Sequence, residues 1–138
     1  MVALVIVAHS AKLAEGVKEL ADQMAQGRVP IFAAGGLDAH TLGTNVERIR
    51  EALEAALSRA DEVLVLMDLG SAVIGTQMAV EMLPPEVRPR ILLSQAPLVE
   101  GAIVAAVEAA IGKGATEVEA SAVEACRMPS DPLRRSHG

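Results

Sequence analysis

The stretch LVIVAHSAKLAEGVKELADQM, residues 4–24, decides the fold of this chain. Its opening, Leu4–Val7, is an unbroken apolar run rich in β-branched side chains, which reads as a strand buried on both faces. From Leu13 the spacing changes: Val17, Leu20 and Met24 follow at steps of four, three and four, the period of a helix. A strand running into a helix, with a histidine and a serine at the junction, is the unit from which the rest of the chain is built.

The same alternation recurs outward from there. Gly27 and Pro30 punctuate the chain before a second strand, Ile31–Ala34, and Val46, Ile49, Leu53 and Leu57 give the next helical stripe. The charges beside that stripe, Arg48, Arg50 and Glu54, read as a solvated face. Val63–Met67 is another unbroken apolar run, and the helix after it carries Met78 and Met82, read together with Met67 as core filling, before Pro84 and Pro85 close it. Ile91–Leu93 is a short strand, Val99, Ile103, Val107 and Ile111 mark a further helix, and Glu117–Ala122 alternates weakly enough to be expected as a fifth strand. Short, wholly apolar strands between amphipathic helices predict one doubly wound α/β domain over residues 1–125. Its sheet is expected to be mainly parallel, of four to five strands with helices on both faces, ending in an antiparallel C-terminal edge strand. The segment 126–138, rich in proline and charge, is expected to be a disordered tail.

Composition narrows the function. The 138 residues are 51% hydrophobic and carry a net charge of −6, which suits one compact acidic domain with a real core. An acidic balance opposes phosphate-backbone binding, and one Phe with no Trp or Tyr removes the stacking platform of single-strand binders. Nucleic acid is therefore not an expected partner. The N-terminal apolar run is too short for a signal peptide, no segment approaches the ~20 apolar residues of a membrane span, and the single Cys126 excludes an internal disulfide. The expected location is the cytoplasm, with neither metal nor cofactor.

In open α/β sheets, ligands bind beyond the carboxyl ends of the strands. Those ends collect His9-Ser10, Gly35-Gly36 with the loop LDAHTLGTN, Asp68-Leu69-Gly70-Ser71, and Ser94-Gln95-Ala96-Pro97. An imidazole facing a carboxylate is held in one tautomer with its other nitrogen free as a nucleophile. Gly70 permits a tight turn, Ser71 can cap the next helix, and the N–H groups of that helix start favour an anion. Together these suit transient carriage of a phosphoryl group. The plainer reading, in which Asp68 and Ser71 are caps and His9 a satisfied strand-end residue, stands equally on pattern alone. Ser10 lacks the flanking glycines of a hydrolase nucleophile elbow. No Walker A or G-x-G-x-x-G motif is present. His40 reads as an exposed loop histidine.

The segments LVIVAHSAKLAEGV, AAGG with GTN, VLVLMDLGSA and APLVEGA, in this order across residues 1–125, resemble the phosphotransferase subunits of bacterial dihydroxyacetone kinase. These are relatives of the mannose-type EIIA domains of the sugar phosphotransferase system. The resemblance implies phosphorylation of His9 by the carrier HPr and onward transfer to ADP on a nucleotide-binding kinase subunit, which works with a dihydroxyacetone-binding subunit. It also implies that Asp68 orients His9, that Ser10, Gly70 and Ser71 line the phosphoryl pocket, and that Gly43, Thr44 and Asn45 form a partner-facing loop. A homodimer is implied too, with the C-terminal strand at its contact. Some members carry HPr-like and enzyme-I-like domains beyond this one; here those are expected to be separate proteins. Two alternatives are the EIIA component of a mannose-type sugar transporter and a non-catalytic module that senses a small anion.

Overall fold

Seven consecutive residues, Val2–Ala8, are exposed by 1% or less. A strand with no solvent face must lie inside a sheet covered on both sides. The computed structural model of the chain, which describes residues 1–127, places it there. The elements run β1 (Val2–Ala8), α1 (Ala11–Ala25), β2 (Ile31–Gly35), α2 (Val46–Leu57), β3 (Glu62–Met67), α3 (Gly70–Glu81), β4 (Ile91–Leu93), α4 (Leu98–Ala110) and α5 (Ala115–Arg127). The four strands pair in parallel in the order β2-β1-β3-β4.

Strand side chains alternate between faces, and two cores result. Val2, Leu4, Ile6 and Ala8 of β1 pack with buried residues of α1, α4 and α5. Ala3, Val5 and Val7 pack with those of α2 and α3. This is the doubly wound architecture that the alternation predicts.

One expectation about the sheet is corrected. Residues 117–122 are not a strand: they lie in α5, and no fifth strand occurs among the described residues. Ala115, Val118 and Ala122 are buried at helical spacing, and the Ala115 N–H at the helix start donates to Glu62 Oε1 at 3.0 Å. The alternation of Glu117 and Glu119 is therefore charge on a helix, and the C-terminal strand implied at a dimer contact is absent from this segment. The expected tail, 126–138, lies outside the described residues from position 128; residues 126 and 127 belong to α5.

On α2 the stripe of large side chains marks the buried face, with Ile49 and Leu53 in the core and Val46 and Leu57 packed against it, but on α1, α3 and α4 most of the large side chains stand outside. On α1 the core takes Ala14, Val17, Ala21 and Ala25, while Leu13, Leu20 and Met24 are exposed. Of the methionines read as core filling, Met67 is buried but Met78 and Met82 are exposed, and α4 buries Gly101, Ala102, Ala105 and Ala106 beneath an exposed Val99, Val107 and Ile111. Small residues win these positions because the helices lie close on the sheet. A Cβ on Gly101 would sit 2.7 Å from Ala96 Cβ and 3.0 Å from Leu66 Cδ2.

Candidate active site

From β1 the chain passes to β2 on one side, then returns to β3 on the other. The helices after β1 and β3 pack on opposite faces, so a crevice opens between the carboxyl ends of these two strands. Val7 pairs with Met67, which brings the next turns, bearing His9 and Asp68, against one another.

The Asp68 side chain is 12% exposed. A carboxylate at that depth requires donors, and three are supplied. Oδ2 accepts from the His9 backbone N–H at 2.9 Å, while Oδ1 accepts from the Leu69 N–H at 2.8 Å and from His9 Nδ1 at 3.0 Å. An ionised carboxylate only accepts, so Nδ1 carries the imidazole proton and Nε2 keeps its lone pair. The Ser71 hydroxyl donates to Nε2. Asp68 thus fixes the backbone at His9, the tautomer and the ring plane together.

Ser71 does not cap α3, contrary to expectation. The N-cap is Leu69, with no side-chain cap, and Ser71 is turned toward His9 instead. Nor does a tight turn depend on Gly70: it opens α3 with no atom within 4 Å of a would-be Cβ. The first N–H groups of a helix lack intrahelical partners, and those of α3 begin at the edge where His9 stands. Ser10 caps α1, its hydroxyl oxygen accepting from the Leu13 N–H at 3.2 Å.

The loop after β2 is bonded directly to the His9 turn. The Gly43 N–H donates to the His9 carbonyl at 2.8 Å, and Thr44 bridges to Gly36. Asn45 caps α2, accepting from the Glu47 N–H at 2.9 Å, and its amide donates to the Leu37 carbonyl at 3.0 Å. Asp38 braces the loop tip by accepting from the His40 N–H and the Thr41 hydroxyl. These bonds, in that order of importance, hold its carboxyl below the ordinary carboxylate pKa. His40 itself is exposed. Beneath the loop, Gly35 runs so close to the start of α1 that a Cβ would lie 2.4 Å from the Ser10 carbonyl oxygen.

On the other side of Asp68 a cleft of about 580 Å³ is walled by Leu69, Gly70 and Gln77 and by the β4–α4 turn, Ser94–Pro97. Sequence reading placed this turn on the rim but missed what holds it. Glu119 of α5 accepts from the Ser94 hydroxyl at 2.5 Å and from the Gln95 N–H at 2.8 Å. The helical spacing of Ala115, Val118 and Ala122 was the available signal, since it turns Glu119 away from the exposed face of Glu117.

No helix among the described residues is long and apolar enough to cross a membrane. Comparison with known proteins matches the family described as PTS system fructose IIA component, EIIA-man, to residues 3–119. Similar curated proteins include two named "PEP-dependent dihydroxyacetone kinase, phosphoryl donor subunit DhaM". That of Escherichia coli K12 is 42% identical over 96% of this chain and 29% of its own length. That of Klebsiella michiganensis is 42% identical over 99% of this chain and 31% of its own. The chain thus spans less than a third of those relatives. A Listeria innocua protein, named phosphoryl donor subunit DhaM of PEP-dependent dihydroxyacetone kinase 2, is 34% identical over 80% of this chain and 88% of its own. Among solved structures, a protein of unknown function, EF1359, superposes with TM-score 0.82 at 31% identity, covering 94% of this chain and 98% of that one. The phosphotransferase system component EIIA of Streptococcus agalactiae shares the fold, with TM-score 0.70 at 16% identity over 98% and 99% of the two chains. With the family matched over most of its length and a relative of similar size above 30% identity, the chain belongs to the EIIA-man family, the PTS system fructose IIA component.

Proposed function

We propose that this chain is the phosphoryl-carrying subunit of a PEP-dependent dihydroxyacetone kinase and that Nε2 of His9 carries the phosphoryl group. The observation that carries this reading is the 3.0 Å bond from Nδ1 to Asp68, which leaves Nε2 as the nucleophile at the rim. The names of the curated relatives support the kinase assignment over a sugar-transporter component.

In the first step the Nε2 lone pair attacks the phosphorus of phospho-HPr. The N–P bond on HPr breaks, its electron pair returns to the HPr imidazole, and a new N–P bond forms on His9. The ring becomes positively charged while Nδ1 keeps its proton, and the Asp68 carboxylate stabilises that charge. In the second step a terminal oxygen of ADP, held by the nucleotide-binding subunit, attacks the same phosphorus, and the electron pair of the N–P bond returns to Nε2. ATP then serves the dihydroxyacetone-binding subunit. The Ser71 hydroxyl, which turns from Nε2 as the lone pair attacks, and the N–H groups of Gly70 and Ser71 at the start of α3 are the donors for the phosphoryl oxygens. Gly43, Thr44 and Asn45 hold the partner-facing loop, and a docked partner excludes water. Exposed Leu37 and Leu42 on the β2–α2 loop, Leu69 at the N-cap of α3 and Ile74 on that helix are consistent with protein docking. A cytoplasmic homodimer completes the proposal.

The test is incubation with phosphoenolpyruvate, enzyme I and HPr, then with ADP and the two kinase subunits. The chain gains one acid-labile phosphate, which leaves only when the ADP-bearing subunit is added, and His9→Ala abolishes it. Label that persists on His9→Ala rejects the site.

A further inference from the structure

We infer that Glu119 is a positioning residue for partner docking, because it sets the β4–α4 turn that forms the far wall of the cleft beside Asp68. The inference rests on the phosphoryl-carrier reading.

Ser94 is 7% exposed, and its hydroxyl is used twice: it accepts from the Ala96 N–H at 3.0 Å and donates to Glu119 Oε1. The second oxygen of Glu119 takes the Gln95 N–H. One carboxylate therefore aligns a hydroxyl and the backbone of two successive residues, through charge-assisted bonds that fix orientation strongly.

These bonds are not what holds α5. Ala115, Val118 and Ala122 anchor that helix in the core, and Glu62 accepts from its first N–H. What they hold is the turn. Ala96 is packed from behind by α4, but Gln95 is exposed on the cleft side, and among the described residues its N–H bonds only the Glu119 carboxylate. Opposite it stand Leu69, Gly70 and Gln77. Donor and acceptor must both bring a phosphoryl site to one Nε2, so both approach across this rim. A turn that wanders widens the cleft and blurs the surface they meet, while His9, Asp68 and Ser71 stay in place.

The experiment compares Glu119→Ala, Glu119→Gln and wild type in the same phosphoryl-transfer assays, reading KM for phospho-HPr and for the ADP-loaded kinase subunit separately from kcat. Thermal unfolding and amide exchange at Gln95 and Ala96 are read in parallel. Glu119→Ala raises KM for either partner by about tenfold, the factor an ordinary charged hydrogen bond supplies. It leaves kcat within about twofold and speeds exchange at Gln95. Glu119→Gln, which can still accept from the Gln95 N–H and bond Ser94, restores KM to within about twofold. An unchanged KM for both partners in Glu119→Ala overturns the inference alone, and so does a loss of kcat that merely follows melting. A wild-type chain that takes no phosphate overturns the carrier reading and this inference with it.

Discussion

Replacing Asp68 by asparagine removes one charge and one acceptor with almost no change of shape, which makes it the sharpest test of the site. Oδ1 faces two donors, the Leu69 N–H and Nδ1–H, and Oδ2 faces the His9 N–H. If the amide oxygen occupies the Oδ1 position, the NH2 group points at the His9 N–H. If the amide flips, its NH2 meets the Leu69 N–H. It then suits Nδ1 only when the imidazole moves its proton to Nε2, the wrong tautomer for a nucleophile. Either way one backbone N–H loses its acceptor, at about 1–3 kcal/mol, which lowers Tm by roughly 3–10 °C. Loss of the orienting charge slows transfer further, by about 10²- to 10⁴-fold. Rapid-quench labelling from phospho-HPr measures the rate, and calorimetry the stability. Asp68→Asn labelled at the wild-type rate, with wild-type Tm, would refute the role given to this carboxylate.

Gly35→Ala places a Cβ 2.4 Å from the Ser10 carbonyl oxygen and 2.8 Å from Ala11 Cα, atoms that move only with the His9 turn. Overpacking costs about 1–3 kcal/mol, and a displacement near 1 Å at the nucleophile slows labelling by about a hundredfold; a variant that matches wild type in both contradicts the packing. The loop tip has a pH dependence of known sign. Because the carboxyl of Asp38 is held below its ordinary pKa, first by the His40 N–H and then by the Thr41 hydroxyl, its brace is fully present above the ordinary carboxylate value and is lost as pH falls through the lowered one. NMR of the His40 amide against pH reads this directly, and an acid transition absent from wild type or retained in Asp38→Asn would reverse it.

The architecture was legible because strand burial leaves a plain mark: Leu4–Val7 and Val63–Met67 are apolar without interruption, as only doubly covered strands are. Asp68 and His9 were legible for a related reason, since a titratable residue ending such a run emerges at the ligand-binding edge. Helix faces were less so. Leu13, Leu20 and Met24 share the period of Ala14, Ala21 and Ala25, and hydrophobicity favours the larger set, whereas the spacing between helix and sheet admits only the smaller. The resemblance put Ser71 at the pocket, but its bond to His9 was hidden, because a serine in a first turn reads as a cap and only the fold brings it to a histidine 62 positions earlier. Glu119 was lost with its element: read as a strand, residues 117–122 give no reason for that side chain to reach Gln95.

The small residues beneath the helices have a consequence for how this chain can drift in sequence. Where alanine and glycine fill the contact, substitution has almost one direction, since nothing is left to trim and any addition meets the sheet. The exposed large side chains of α1, α3 and α4, such as Leu13, Met78 and Val107, are the ones free to exchange for polar residues. The usual relation between size and constraint is thus inverted. In this fold an alanine at Ala105 or Ala106 is a stricter requirement than a methionine at Met78. The surface offered to other proteins can then be rewritten while the frame that presents His9 stays fixed.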